Sequence, residues 1–305
     1  MPNTLFSATS SPATERSVAL AYAGLGLTMM AWSLVPVFLK LLLTVLTPTE
    51  LSFTRFLLSG LGLLLWVLAR CPRELVRLFR EDLRLLLLST IFGPLAAMVC
   101  FNFALQHITV GTAAVFAALE PLCTYVLAAI IGQEVWRHGR TASIVLAMAG
   151  ITMVVLSRET VGVAYWHSLV LVTLTPIIWA VNNIITKELV QRHAAVVMTA
   201  AAFVLSSLCL VPTLSTDYVL RLATMGGALW LGLAYCLATT IVGFTIWYGS
   251  LKFLPPSSVA VSMYIIPVIS VAAGILVLGE ALSWLKGAGI ATVLLGLYLV
   301  NVRFR

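Results

Sequence analysis

The chain has 305 residues, of which 61% are hydrophobic and 10% charged, with a mean hydropathy of +1.07 and a formal net charge of +7. A soluble domain is roughly 45–50% apolar and about 25% charged, so polar surface could not cover a core of this composition, and soluble enzymes and binding modules are excluded. The positive charge lies in loops, where it sets membrane topology, and it does not imply nucleic acid.

Met1 to Ser17 is rich in Ser, Thr and Pro and reads as a disordered cytoplasmic tail (residues 1–17). It has neither the basic n-region nor the A-x-A site of a cleaved signal peptide, so the first apolar segment reads as a retained span. About 20 apolar residues cross a bilayer, and ten such segments can be drawn: Val18–Leu39, Glu50–Ala69, Arg84–Leu105, Val110–Gly132, Arg140–Ser157, Trp166–Lys187, Ala194–Pro212, Leu222–Leu251, Ser257–Leu278 and Leu282–Val302. The eighth is long enough to include an interfacial turn. Between the second and third, Arg73, Arg77, Arg80 and Arg84 recur at helical spacing, with Leu75, Val76, Phe79 and Leu83 on another side. Glu74 faces Arg77, and Glu81 faces Arg84, at i,i+3. This predicts an amphipathic topology anchor along the membrane surface, or a regulatory lipid site. The five cysteines are dispersed and read as small core residues rather than disulfide or metal ligands.

With the N-terminus inside, thirteen basic residues fall on the inner side and four (Lys40, Arg158, Arg221, Lys286) on the outer, Arg55 lying within a span. The positive-inside rule therefore predicts two cytoplasmic termini. The stretch Phe101–Val155 reappears without a gap as Trp247–Asn301, pairing Pro121 with Pro267, Glu134 with Glu280 and Gly150 with Gly296 at a constant offset of 146. Trp32 and Lys40 return as Trp179 and Lys187 at an offset of 147. The expected fold is therefore an all-α polytopic membrane protein of ten transmembrane helices, built as two five-helix repeats over 18–157 and 158–305. An odd number of spans inverts the second repeat. The loops agree: the basic second–third loop has a nearly uncharged counterpart with Asp217 and Arg221, and the charge-poor first–second loop has a counterpart with Lys187, Glu188, Arg192 and His193. Inverted repeats of this kind place a substrate site at mid-membrane between the halves.

A Trp-rich first span ending in Lys40, an Arg in span two (Arg55), and two Pro…Gly-Glu hairpins (Glu120-Pro121…Gln133-Glu134 and Pro267…Gly279-Glu280) resemble the EamA-type branch of the drug/metabolite transporter superfamily. The resemblance covers all ten spans. It implies a basket-like bundle with alternating access that exports, less often imports, small metabolites such as amino acids, amines or drugs. Two departures stand out: Gln133 where the second copy has Gly279, and Ala202 where the offset from Arg55 would want a base.

Glu120 is the first candidate site residue. A charge at mid-bilayer is costly and marks function by default, and desolvation of a bare carboxylate there suits proton exchange. Alternatively it forms a structural ion pair with Arg55, or contacts a substrate amine. In span six, Thr175, Trp179, Asn182, Asn183 and Thr186 share one helix face. That face lines a cavity or makes interhelical hydrogen bonds. By symmetry Trp32 and Ser33 form the opposite wall, and Pro36 and Pro176 are placed to break their helices. Asn102 and Gln106 share a face of span three. Phe244, Trp247 and Tyr248 of span eight and Tyr264 of span nine either stack a substrate or belong to interfacial belts. Lys40 and Lys187 are expected to snorkel, and His107 reads as a surface residue. Gly287, Gly289 and Gly296 predict tight packing or a homodimer contact.

The chain contains no G-x-S-x-G, H-E-x-x-H, D-x-x-x-D or Walker A motif, so enzyme chemistry and a self-contained ATP-driven pump lack support. The expected partners are a small-molecule substrate and the lipid bilayer, with no cofactor or metal. The first reading is a secondary-active exporter in the inner membrane. The second is an importer or exchanger of nucleotide sugars or sugar phosphates, which would want more cavity cations than Arg55.

Overall fold

Chain breaks and caps written into the sequence set where each helix begins and stops. A computed structural model describes residues 15–132, 138–157 and 163–302, and among these all regular structure is helical. The tail up to residue 14 and the hairpin residues Gln133 and Glu134 lie outside the described residues. The first span is two helices, α1 (Glu15–Trp32) and α2 (Val35–Leu42). They part just before Pro36, whose ring and missing N–H do not fit a helix interior. α3 (Pro48–Arg70) opens on a capping box in which Thr47 Oγ1 accepts from the Glu50 amide and the Glu50 carboxylate accepts from the Thr47 amide at 2.9 Å.

α4 (Pro72–Glu81) is the expected amphipathic helix, with Leu78 buried and Val76 and Phe79 exposed. Its ion pair is Arg77 to Glu81 at i,i+4, 2.8 Å, and not the expected i,i+3 pairing with Glu74, since both spacings bring side chains together on a helix. The third span runs as α5 (Leu83–Thr90), a π turn at Ile91–Leu95 carrying Gly93 and Pro94, and α6 (Ala96–Leu105). The fourth is α7 (Val110–Ala117) and α8 (Glu120–Ile130); then come α9 (His138–Leu156), α10 (Val163–Arg192) and α11 (Ala195–Leu210). Pro176 lies inside α10 without ending it, contrary to expectation. The eighth segment is a short α12 (Tyr218–Ala223) followed by α13 (Gly227–Ser250), which is the expected interfacial turn. α14 (Pro256–Val261), α15 (Ile265–Leu278) and α16 (Trp284–Val302) close the chain. Seven helical stretches are long and apolar enough to cross a membrane; shorter apolar helices at Val145–Leu156, Ile265–Leu278 and Trp284–Gly296 stand where segments five, nine and ten were expected.

Contacts between helices repeat across the two halves. α3 packs on α11, and α9 on α16, each an element against its own repeat equivalent. α10 packs on α6 and α8, and α1 correspondingly on α13 and α15. Such reciprocity is what a two-fold relation between halves produces. Two buried apolar clusters result, one including Leu39, Phe101, Phe116 and Val172, the other Phe56, Val190, Phe203 and Leu251.

Candidate functional site

The gap between the two clusters is a cavity enclosing about 770 Å³ of empty space including its mouth, within the roughly 300–1,000 Å³ of small-molecule sites. Trp32, Val35, Pro36 and Leu39 line it from the first span, Arg55 from α3, Met98 and Phe101 from α6, and Ala117 and Glu120 from the fourth span. Thr175, Pro176 and Trp179 of α10, Phe244 and Trp247 of α13, Met263 and Ile266 complete it. Five pairs of these are repeat equivalents: Trp32 and Trp179, 147 apart, and Met98/Phe244, Phe101/Trp247, Ala117/Met263 and Glu120/Ile266, each 146 apart. Met98, Ala117, Met263 and Ile266 were not among the candidates. Applying the offset to Phe244 or Glu120 finds Met98 and Ile266 directly, while Ala117 and Met263 carry no signal but their pairing.

The aromatic wall is a continuous cluster. Trp32 lies 4.9 Å from Phe244 and 5.8 Å from Trp247, centroid to centroid, and Trp179 stacks on Phe244 at 5.6 Å. Trp32 is seated by its indole N–H, which donates to the Thr239 carbonyl at 3.0 Å, and by Gly243, where a Cβ would come within 2.4 Å of Trp32 Nε1. Trp247 and Tyr248 are buried in this cluster, and the interfacial-belt alternative does not hold for them, because α13 turns both toward α10.

Glu120 and Arg55 are each only 3% exposed. Glu120 Oε1 accepts from the Asn183 amide at 2.7 Å, and Asn183 Oδ1 accepts from the Trp247 indole at 3.1 Å. Arg55 Nη2 donates to Thr240 Oγ1 at 2.9 Å, Nη1 approaches the Met98 sulfur at 3.9 Å, and Nε is buried without a partner. The direct Glu120–Arg55 ion pair is not formed: Asn183 holds the acid from α10, and Thr240 holds the base from α13.

The polar stripe of α10 divides. Thr175 and Trp179 line the cavity. Asn182 and Asn183 are fully buried and join helices instead. Asn182 accepts from Ser89 Oγ at 2.9 Å and donates to the Tyr248 hydroxyl at 3.1 Å, and Thr186 Oγ1 lies 2.9 Å from Ser89 Oγ. Gly93 admits this contact, since a Cβ there would lie 2.9 Å from Asn182 Oδ1. Ser33, too, is structural: its hydroxyl donates to the Met29 carbonyl, and its own carbonyl, freed at the helix break, accepts from Ser270 Oγ at 2.6 Å. Asn102 is buried on Ser52 at 2.9 Å, and Gln106 sits with His107 in a separate surface groove beside His167. The side chain of Tyr264 lies outside the described residues.

Lys40 and Lys187 do not snorkel freely. Lys40 Nζ donates to the Ile108 carbonyl, and Lys187 Nζ to the carbonyls of Leu251 and Leu254, the latter at 2.8 Å. Ile108 and Leu254 are themselves 146 apart. Opposite Lys40, the Glu280 carboxylate caps α7 by accepting from the amides of Val110 at 2.7 Å and Gly111 at 3.3 Å, and Lys286 donates to Thr109 Oγ1 at 2.7 Å.

Comparison with known proteins gives the same picture twice over. The model of the EamA-like transporter family matches residues 19–156 and again 166–302. An uncharacterized transporter of Archaeoglobus fulgidus is 28% identical over 90% of this chain and 96% of its own length. A probable amino-acid metabolite efflux pump of Salmonella typhimurium is also 28% identical, over 92% and 94%. A solved crystal structure superposes with a TM-score of 0.66 at 18% identity, covering 95% of this chain and 98% of the other, a likeness of fold.

Proposed function

The chain belongs to the EamA-like transporter family, and from that premise we propose that it is a secondary-active exporter of small metabolites, namely amino acids, amines or drug-like compounds. It is a multi-pass membrane transporter and not an enzyme. The observation that carries the proposal is the cavity wall made of repeat-equivalent residues, Trp32 facing the task of Trp179 and Phe101 that of Trp247. A site shared by two inverted halves can open to one side or the other by rocking one half on the other, which is alternating access. The ten-span inverted arrangement, inner-membrane location and two cytoplasmic termini complete this reading, on the loop charges given above.

The nucleotide-sugar and sugar-phosphate reading is less well supported. Among the described residues the cavity lining offers one cation, Arg55, beside an acid and a mostly aromatic wall, whereas phosphates want clustered cations. The test is flux in proteoliposomes under an imposed proton gradient. The expected result is accumulation of an amino acid or amine that Glu120→Gln abolishes while the variant still elutes as folded protein. Wild-type coupling in Glu120→Gln would remove the acid from the mechanism, and uptake of nucleotide sugars alone would replace the export reading.

A further inference from the structure

We propose that Arg55 and Glu120 form a split clamp for a zwitterion, Arg55 receiving the carboxylate and Glu120 the ammonium group of one substrate whose remaining body is apolar. The proposal rests on the export reading above and narrows it. Two opposite charges buried in one cavity are ordinarily paired, because each alone loses its hydration without compensation. Here both line the same cavity, both are more than nine-tenths buried, and they are held by neutral groups: the Asn183 amide on Glu120, the Thr240 hydroxyl and the Met98 sulfur on Arg55. A guanidinium has five N–H donors, and Arg55 Nε is buried with no acceptor. A carboxylate accepts from such a fork in a two-point contact.

Charge arithmetic then discriminates between ligand classes. A simple anion entering beside Arg55 meets the Glu120 carboxylate. A simple amine satisfies Glu120 and leaves the guanidinium uncompensated. A molecule carrying both charges meets both needs and leaves the filled cavity neutral. Apart from Arg55, Glu120 and Thr175, the lining is aromatic or aliphatic, so the body between or beyond the two charges is apolar. Trp32, Trp179 and Trp247 offer it ring faces, which also favour the ammonium end. The substrate class is therefore an α-amino acid with a large apolar or aromatic side chain.

The experiment is equilibrium binding to purified full-length protein, read by tryptophan fluorescence, since three indoles line the cavity. The probes are phenylalanine, phenylalaninamide, N-acetylphenylalanine and phenethylamine. The wild type is expected to prefer phenylalanine to each of the other three by about tenfold or more, because each leaves one buried charge without its partner. Arg55→Gln should erase the preference over the amide and over phenethylamine and keep that over the N-acetyl form; Glu120→Gln should do the reverse; Arg55→Lys should restore part of what Arg55→Gln loses. A purely structural role would weaken all four probes alike, and that result in a folded Arg55→Gln overturns the clamp. Should the variants not fold, the wild type decides alone: phenethylamine or the amide bound as tightly as phenylalanine, or none of the four bound, overturns it. Flux of phenethylamine at the phenylalanine rate would sink the clamp and leave the export reading standing, whereas flux of nucleotide sugars in place of all four probes would sink the reading beneath it.

Discussion

At Gly243 the absence of a side chain decides where an indole can sit. A Cβ at this position would lie 2.4 Å from Trp32 Nε1, far inside contact distance, and Trp32 is tied to Thr239 and packed on Phe244 and Trp247. Gly243→Ala should therefore cost about 1–3 kcal/mol, the range for overpacking a filled core, seen as a lower melting temperature together with a shifted tryptophan emission. Asn183 works in the opposite sense, through bonds it makes. Asn183→Leu leaves the Glu120 carboxylate and the Trp247 N–H unsatisfied, and each buried orphan costs about 1–3 kcal/mol. It should destabilise the protein more than Thr175→Val, whose hydroxyl donates only to the Leu171 carbonyl of its own helix. Paired thermal melts of the two variants check this. Sequence periodicity placed Thr175, Trp179, Asn182 and Asn183 on one face, and that face is real. It could not say which of them look into the cavity and which into a neighbouring helix, because that depends on a few tens of degrees of helix rotation and on partners, Ser89, Tyr248 and Glu120, that are distant in the chain.

Helix ends are the element-scale theme. α8 and α15 both stop at a glycine with positive φ, Gly132 at 77° and Gly279 at 65°, a conformation only glycine adopts freely. These two are 147 apart, so the mismatch of Gln133 with Gly279 in the 146 register is a one-residue slip and no departure in structure. Just past Gly279, Glu280 is thrown onto the first amides of α7, which a helix leaves unsatisfied. Glu280→Ala should cost about 0.5–2 kcal/mol, the cost of losing a cap, and Glu280→Gln less, because an acceptor oxygen remains; melting temperatures of the three proteins rank them. The hairpin motif was visible in the sequence. Its purpose was not, since the amides it caps are 169 and 170 residues away. Pro36 and Pro176 show the same limit: both can break a helix, and only the break at Pro36 is met by an acceptor's new donor, Ser270 on the Ser33 carbonyl.

At the scale of the whole molecule, the repeat was legible because two halves of one ancestry kept their spacing, and the family match over 19–156 and 166–302 follows it. The α9–α16 packing was legible only in part. A Cβ on Gly150 would lie 2.6 Å from the Val293 amide nitrogen, and one on Gly289 would lie 2.8 Å from the Gly150 carbonyl, so Gly289 serves a contact within the chain. Gly150→Leu should lower the melting temperature and leave the mass of the detergent-solubilised particle unchanged, as light scattering after size exclusion would report. The bonds across the halves have one more consequence, for synthesis. Glu120, Arg55 and Ser89 leave the ribosome in the first half, and the groups that hold them, Asn183, Thr240 and Asn182, follow 63, 185 and 93 residues later. Until then the nascent first half carries bare polar groups in lipid, where each is costly. A chain ended at Ser157 should therefore be extracted and degraded in the cell, and co-expression of the missing half should rescue it, as pulse-labelling would reveal.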